Sequence, residues 1–506
     1  MTRTLLRARR GARNSFMRIT RVKAAAGMLL ATAASMACYN FNISNPNGTS
    51  QGQFTGSPNA TAIAAAATGM FAAARNDMVS FNWRTGSMGR DAINLSDNNQ
   101  PDYAEPFFGP LSSSGFGGSD WGAEYVTIRN ANLLIDATPK AADLSAGQQA
   151  LAIAVAQTEK ALMFMYIIST RGYLGAPVDV DRPADAAPAP FVNEDGVYAT
   201  ILATLDSART NLAAGASASF SFPLPNGYSS ANTPATFRQF TWALTAKALC
   251  FRASTQSESP GPVTAATLYA SALLALDSAG LAASPDPTTF ANGVYFDFST
   301  APNDSRNSLS DPLNSKTFFA LPFVMSDAQT QTGGVLLDQR VLNKVTASVD
   351  TQVIGGIPLT GTIKFTNYLS NGTVNLGAPI PLLKLEEEVL LRAEAEIKTG
   401  ATAAAVSDLN LIRTNSGNLP AYSGALTDTA LVGELLYNRR YSLLWEQGAR
   451  WVDARRFNRL ATIEPGWSNV AGFTNPQVPH VMPIPNTECQ GRSLGSVCNP
   501  LNTSGN

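Results

Sequence analysis

Apolar residues recur along this chain at helical spacing, in blocks separated by stretches without any period. Ala60–Arg75 is alanine-rich, and alanine is the strongest helix former. Trp121–Ala137 carries apolar residues at Trp121, Tyr125, Ile128, Ala131 and Ile135, one stripe of a helix. Gln148–Tyr173 is apolar on most sides, which predicts a buried helix. Gly172, Gly175 and Pro177 stop it. Amphipathic patterns follow at Asn193–Ala213, Thr233–Ala253 and Thr264–Ala279. Leu382–Lys398 and Ala401–Asn415 flank Thr399-Gly400, so they read as a helical hairpin. Asp428–Phe457 reads as one last long helix. Between these blocks, Asn76–Gly118 is rich in Gly, Asn and Pro and reads as loop. Asp297–Leu376 lacks helical period and offers strand-like pieces at Val335–Leu342 and Thr362–Tyr368. The fold class is therefore mainly α: paired helices with long loop-rich insertions and minor β. No βαβ alternation, dinucleotide fingerprint or phosphate-binding loop interrupts that pattern.

The N-terminus follows a different logic. Residues 1–23 are basic, and residues 24–37 form an apolar run of small side chains, too short to span a bilayer. That is the pattern of a secretory signal, so residues 1–37 are expected to be removed. Cys38 follows directly, where a bacterial lipoprotein carries its acylated cysteine. Residues 38–57 then read as a polar tether. Cys489 and Cys498 bracket a loop-like tail and are expected to form a disulfide in an oxidising compartment. Cys250 lies in an apolar helical pattern and is expected to be a buried small hydrophobe.

Charge changes the picture once the signal is set aside. The whole chain has 36 Lys+Arg against 37 Asp+Glu, and eight of the basic residues lie in residues 1–37. The remainder holds 28 basic and 37 acidic residues, a net of −9. Nucleic acid is not an expected partner of such a body, because phosphate binding needs clustered cations. A single histidine, His480, argues against most zinc sites and imidazole-based acid–base catalysis.

Candidate catalytic sets dissolve on inspection. Gly491–Gly495 matches G-x-S-x-G formally but lacks the strand–turn–helix setting of a nucleophile elbow. Glu386, Glu387 and Glu388 are consecutive on a helix, do not share a face, and read as solvated. Glu446, Arg450, Asp453, Arg455 and Arg456 stand at three- and four-residue spacings and read as structural ion pairs, Glu446–Arg450 and Arg450–Asp453 among them. Asp97, Asp102 and Glu105 lack EF-hand spacing, so no metal or cofactor is expected there. Aromatic rings are the remaining resource. Trp83, Tyr103, Phe107, Phe108 and Phe116 fall in the loop-rich segment, where an exposed shelf of rings would bind sugars or other flat ligands.

Three segments resemble the SusD/RagB family of outer-membrane nutrient-binding lipoproteins. Asn438–Phe457 (NRRYSLLWEQGARWVDARRF) is similar to the family's E-R-R-x-x-L-x-x-E-G-x-R-W-x-D-x-R-R, with Asn438 in place of the usual Glu and Gln447 inserted. Glu387–Arg413 resembles its L-L-R-A-E-A helix, glycine turn and L-N-x-I-R helix, and Met482–Glu488 its P-I-P-x-x-E close. The resemblance divides the mature body into an N-terminal helical region, 58–320, and a C-terminal region, 321–506. It implies about four tetratricopeptide-like helix pairs and a lipid-anchored protein of the outer membrane. Such a protein would bind an oligosaccharide or other nutrient and pass it to a TonB-dependent, SusC-like β-barrel, without covalent chemistry. The alternatives are a structural scaffold or adhesin and, behind it, a glycan hydrolase.

Overall fold

The computed structural model describes residues 54 and 56–492, except 96–104, 108–110, 119–120, 184, 311–316, 355–356 and 464–477. Cys38, Tyr103, Phe108, Cys498, the signal and most of the tether lie outside the described residues.

Half of the described α-helices begin where a side chain satisfies the free amides of the first turn. In α1 (Ala60–Arg75), Asn59 accepts from Ala62 N. In α4 (Ala146–Arg171), Ser145 and Gln148 close a capping box. Asn193 caps α5 (Glu194–Ala214), Thr233 caps α6 (Pro234–Ser254) and Thr264 caps α7 (Ala265–Ala279). The α7 helix and α10 (Leu385–Thr399) stop at Gly280 and Gly400, both left-handed, as helix-terminating glycines are. After Gly400 the chain reverses at once into α11 (Thr402–Asn415).

Four pairs succeed one another through the body: α1 on α3 (Gly122–Ala137), α4 on α5, α6 on α7, and α10 on α11. Neighbouring pairs also touch, α3 on α4, α5 on α6 and α7 on α10, so one core runs through all of them. Residues 55–506 accordingly form a single compact unit across position 320. The α4 helix is long and apolar enough to cross a membrane, yet most of it is buried by its neighbours. Cys250 of α6 is fully buried, as its pattern implied.

The β content is small. β1 (Ala92–Asn94), β5 (Phe318–Ala320), β7 (Ile357–Phe365) and β6 (Val345–Ile354) form an antiparallel sheet in that order. β2 (Ala176–Pro177) pairs with β3 (Phe191–Val192), and β4 (Gly293–Phe296) with β8 (Ile380–Lys384). Short helices α8 (Phe323–Ser326) and α9 (Gln339–Lys344) lead into the β6–β7 hairpin, and α14 (Asn486–Arg492) ends the described chain.

Two expectations fail here for local reasons, and a third is shifted. Within Asn76–Gly118 lies a helix, α2 (Met78–Met88), whose buried face includes Asn82, Thr85, Gly86 and Ser87 and so hides its period. Thr85 and Ser87 donate back to Phe81 O and Trp83 O, which lets small polar residues sit inside. Val335–Leu342 is no strand: Val335 and Leu336 are exposed in a turn, and Asp338 caps α9. The Thr362–Tyr368 strand is real but is displaced, as β7.

The last helix is broken. α12 (Asp428–Ser442) and α13 (Ala449–Arg456) are separated by a turn in which Trp445, Gln447 and Gly448 all have positive φ. Side chains from distant segments hold it: Asn82 accepts from Gln447 N at 2.7 Å, and Tyr368 OH donates to Trp445 O at 2.9 Å. The Trp445 ring lies flat on Phe365 at 4.1 Å.

Candidate functional site

Most of the carboxylates and guanidiniums singled out in the sequence are scaffold. Glu386 and Glu387 are buried rather than solvated: Ser442 donates to Glu386, while Lys247 and Arg439 reach Glu387 at 3.0 and 3.5 Å. Glu446 pairs with Lys384 at 2.7 Å and Lys344 at 3.2 Å, not with Arg450. Arg450 turns to Asp91 and Asp327. Asp453 accepts from Arg439 at 2.7 Å and Arg456 at 2.9 Å, and Arg456 grips Glu394 with both terminal nitrogens. Burial alone would raise the Asp453 carboxyl, but the two guanidiniums hold it below the ordinary carboxylate range. The pairing is structural as read, but Asp453 pairs locally with Arg456, and the Glu446–Arg450 and Arg450–Asp453 pairs do not form.

The aromatic shelf does not form from the rings that can be placed. Trp83, Phe107 and Phe116 are 7, 1 and 2 % exposed. Trp83 meets Phe116 edge-on at 5.7 Å, and Phe107 packs with Ile93, Leu95, Phe319 and Leu359. These side chains fasten the loop-rich segment onto the body and present no face to solvent. Glu105 also fastens this segment, accepting from the backbone amides of Ser112 and Phe116. Among the described residues no group of three or more His, Cys, Asp or Glu is placed to hold a metal. Cys489 is half of a disulfide whose other sulfur lies outside the described residues.

A better candidate lies at a different place. A cleft of about 590 Å³ opens between the C-terminal half of α1, residues 223–228, β4 and the loop after it. That volume is within the roughly 300–1,000 Å³ of small-molecule sites. Pro223-Leu224-Pro225 runs extended, since proline fixes φ, and turns into a short 3-10 helix at Asn226. Gly227 is required by close approach: a Cβ there would lie 2.1 Å from Tyr295 O. Its amide donates to Asp297 Oδ2 at 2.7 Å, tying this segment to β4. On the opposite wall Arg75 donates to Asp297 O at 2.8 Å and pairs with Asp304. Phe71, Tyr228 and Phe298 line the interior, half-buried Tyr295 borders it with its hydroxyl donating to Ala291 O, and exposed Asn226 supplies an amide at the rim.

The floor is rigid. Tyr228 packs edge-on to Phe71 at 5.3 Å and stacks on Phe237 at 6.1 Å. Its hydroxyl donates to fully buried Glu159 of α4. Burial pushes the Glu159 carboxyl up to about 7, against the pull of that hydrogen bond. Asp297 and Asp304 are both occupied in holding walls, so the cleft offers rings, amides and hydroxyls rather than a free pair of acids. Such a surface stacks on and hydrogen-bonds to a ligand. Sequence reading missed it because Phe71, Tyr228 and Tyr295 are far apart in the chain. The one legible signal was the aromatic run Tyr295-Phe296-Asp297-Phe298 beside a loop.

No protein-family model and no curated protein matches the chain. Solved structures do. A SusD superfamily protein from Bacteroides vulgatus superposes with a TM-score of 0.62 at 18 % identity, covering 86 % of this chain and 97 % of that one. NanU of B. fragilis gives 0.60 at 16 % identity, covering 88 % and 97 %. A laminarin-binding SusD-like protein gives 0.59 at 16 %, covering 86 % and 98 %. The chain has the SusD superfamily fold.

Proposed function

We propose that this chain, with its SusD-type fold, is a surface lipoprotein that captures an oligosaccharide and delivers it to a SusC-like, TonB-dependent β-barrel. The observation that carries the reading is the open cleft on a rigid scaffold of helix pairs, with Tyr295 and Asn226 at its mouth. Pyranose rings stack on aromatic faces, and the neighbouring amides match their hydroxyls. One of the structural neighbours is itself described as laminarin-binding. Cys38, after its apolar run, supplies the anchor in this reading, because two or more acyl chains hold a protein firmly on a membrane.

Calorimetry of the full mature chain against a glycan panel tests the site. Tyr295→Ala is expected to weaken binding about two- to twelvefold, the worth of roughly 0.5–1.5 kcal/mol for one stacked ring. Binding that is unchanged in Tyr295→Ala and in Asn226→Ala refutes the cleft. Purification from outer membranes, with and without Cys38→Ser, tests the setting. Wild-type chain in the soluble fraction, or in membranes without a co-purifying barrel, refutes anchoring or delivery respectively.

A further inference from the structure

A second, smaller pocket lies on the other side of the rib formed by β4 and the 226–231 segment. It measures about 170 Å³ and is bounded by α6, α7, β4 and the start of α10. Phe240 and Leu281 give it an apolar floor, Thr236, Gln239 and Asn292 a polar rim, and Glu388 of α10 an acid within it.

Glu388 is the unusual member. It is the third of three consecutive glutamates, and its two predecessors are each engaged by hydroxyls or cations. No hydrogen bond or ion pair reaches Glu388 among the described residues. The charged groups on the surrounding elements are committed elsewhere. Lys247 of α6 serves Glu387, and Lys384 of β8 serves Glu446. Asp277 of α7 acts on Arg392, Arg238 of α6 is exposed, and Glu387 is the one charge that acts on Glu388. Burial, and then the charge of Glu387, push the Glu388 carboxyl up to about 8. An acid without a cation in a polar-rimmed pocket is an incomplete pair, and a ligand bearing the missing charge would complete it.

We propose that this pocket is a separate binding site for a primary ammonium group on a polyol frame, that is, for an amino sugar. The ammonium sits against Glu388, the hydroxyls meet Thr236, Gln239 and Asn292, and the ring's apolar face lies on Phe240. The neutral acid gives its proton to the buffer as the ammonium enters, leaving a carboxylate–ammonium pair. The site goes beyond the glycan-capturing cleft and stands or falls without it.

Calorimetry at pH 7 with glucosamine, N-acetylglucosamine and glucose on the full mature chain decides the matter. Glucosamine is expected to bind at least about tenfold more tightly than the other two, with a heat that varies with the ionisation enthalpy of the buffer. Glu388→Gln, checked for unchanged circular dichroism, is expected to remove that preference, while Tyr295→Ala keeps it. Equal binding of the three sugars by the wild type, a buffer-independent heat, or an unchanged preference in Glu388→Gln overturns the proposal. Should Glu388→Gln not fold, the wild-type preference and buffer dependence still decide it. Loss of polysaccharide binding in Tyr295→Ala alone bears on the larger cleft only.

Discussion

Replacing Glu394 by Gln removes one charge from the most deeply buried ionic cluster. Glu394 of α10 is fully buried, and Arg456 of α13 meets its two oxygens at 2.5 and 2.6 Å while donating to Asp453 at 2.9 Å. Asp453 also serves Arg439. After the substitution two buried guanidiniums share the Asp453 carboxylate, and Arg456 faces an amide that cannot neutralise it. Breaking a buried pair from one side costs about 3–5 kcal/mol, because a charge is left without water or partner. The exposed pair Lys398–Asp428, at 2.9 Å, is the internal control. Asp428→Asn there is expected to cost less than about 1 kcal/mol. Equilibrium urea unfolding, followed by circular dichroism and tryptophan fluorescence in parallel, reads both differences. A loss in Glu394→Gln no larger than in Asp428→Asn would show that the cluster is not what holds α10 to α13, and the reasoning would fail.

Other outcomes follow from single positions. Gly448→Ala is expected to destabilise the protein far more than Gly400→Ala: both have positive φ, but a Cβ on Gly448 would stand 2.1 Å from Thr85 Cβ, whereas Gly400 has open space. Left-handed backbone alone costs an L-residue about 1–2 kcal/mol, so the excess in the same urea titration measures the clash. Glu159 has its folded pKa raised to about 7 by burial, from the ordinary 4.5. The folded state therefore holds the proton more tightly, and this contribution to stability is present below about pH 4.5 and is lost as pH rises to 7. Glu159→Gln is expected to flatten the stability profile across that window; an unaltered slope between about pH 4.5 and 7 contradicts the assignment. Cys489 and Cys498 are expected to be joined, so non-reducing peptide mapping should find them in one cross-linked fragment; a free Cys498 thiol refutes that pairing.

How much the sequence disclosed depends on the range of the interaction. Helices with a one-sided apolar stripe and a local cap or turn, such as Ala60–Arg75 and the Thr402–Asn415 partner of α10, were legible to within a residue or two, because period and boundary signals are both local. The α2 helix was hidden by its buried Asn82, Thr85 and Ser87, which period reading counts as polar. The α12–α13 break was hidden because Trp445 and Gln447 adopt positive φ in a turn held by Tyr368 and Asn82, 77 and 365 residues away. The same range explains the site. Trp83 and Phe116 looked available among loop residues, yet they pack against each other, while Tyr295 gained its place from a glycine 68 positions earlier that no pattern links to it. The ionic residues were recognisable as scaffold, but their partners were not, since Arg440 reaches Asp91 and Arg456 reaches Glu394.

The left-handed turn at 445–448 sets a condition on how the chain comes into being. Asn82 and Asp91, near the start of the body, find their partners at Gln447, Arg440 and Arg450. Residues that emerge first from the ribosome thus wait for some 350 more before their contacts exist, and contacts of such long separation are the slow ones to form. The helix pairs of the first third can pack on one another earlier, but Asn82 and Asp91 cannot meet their partners until residues 440–450 have been made. Completion of the last hundred residues is the event that closes the molecule.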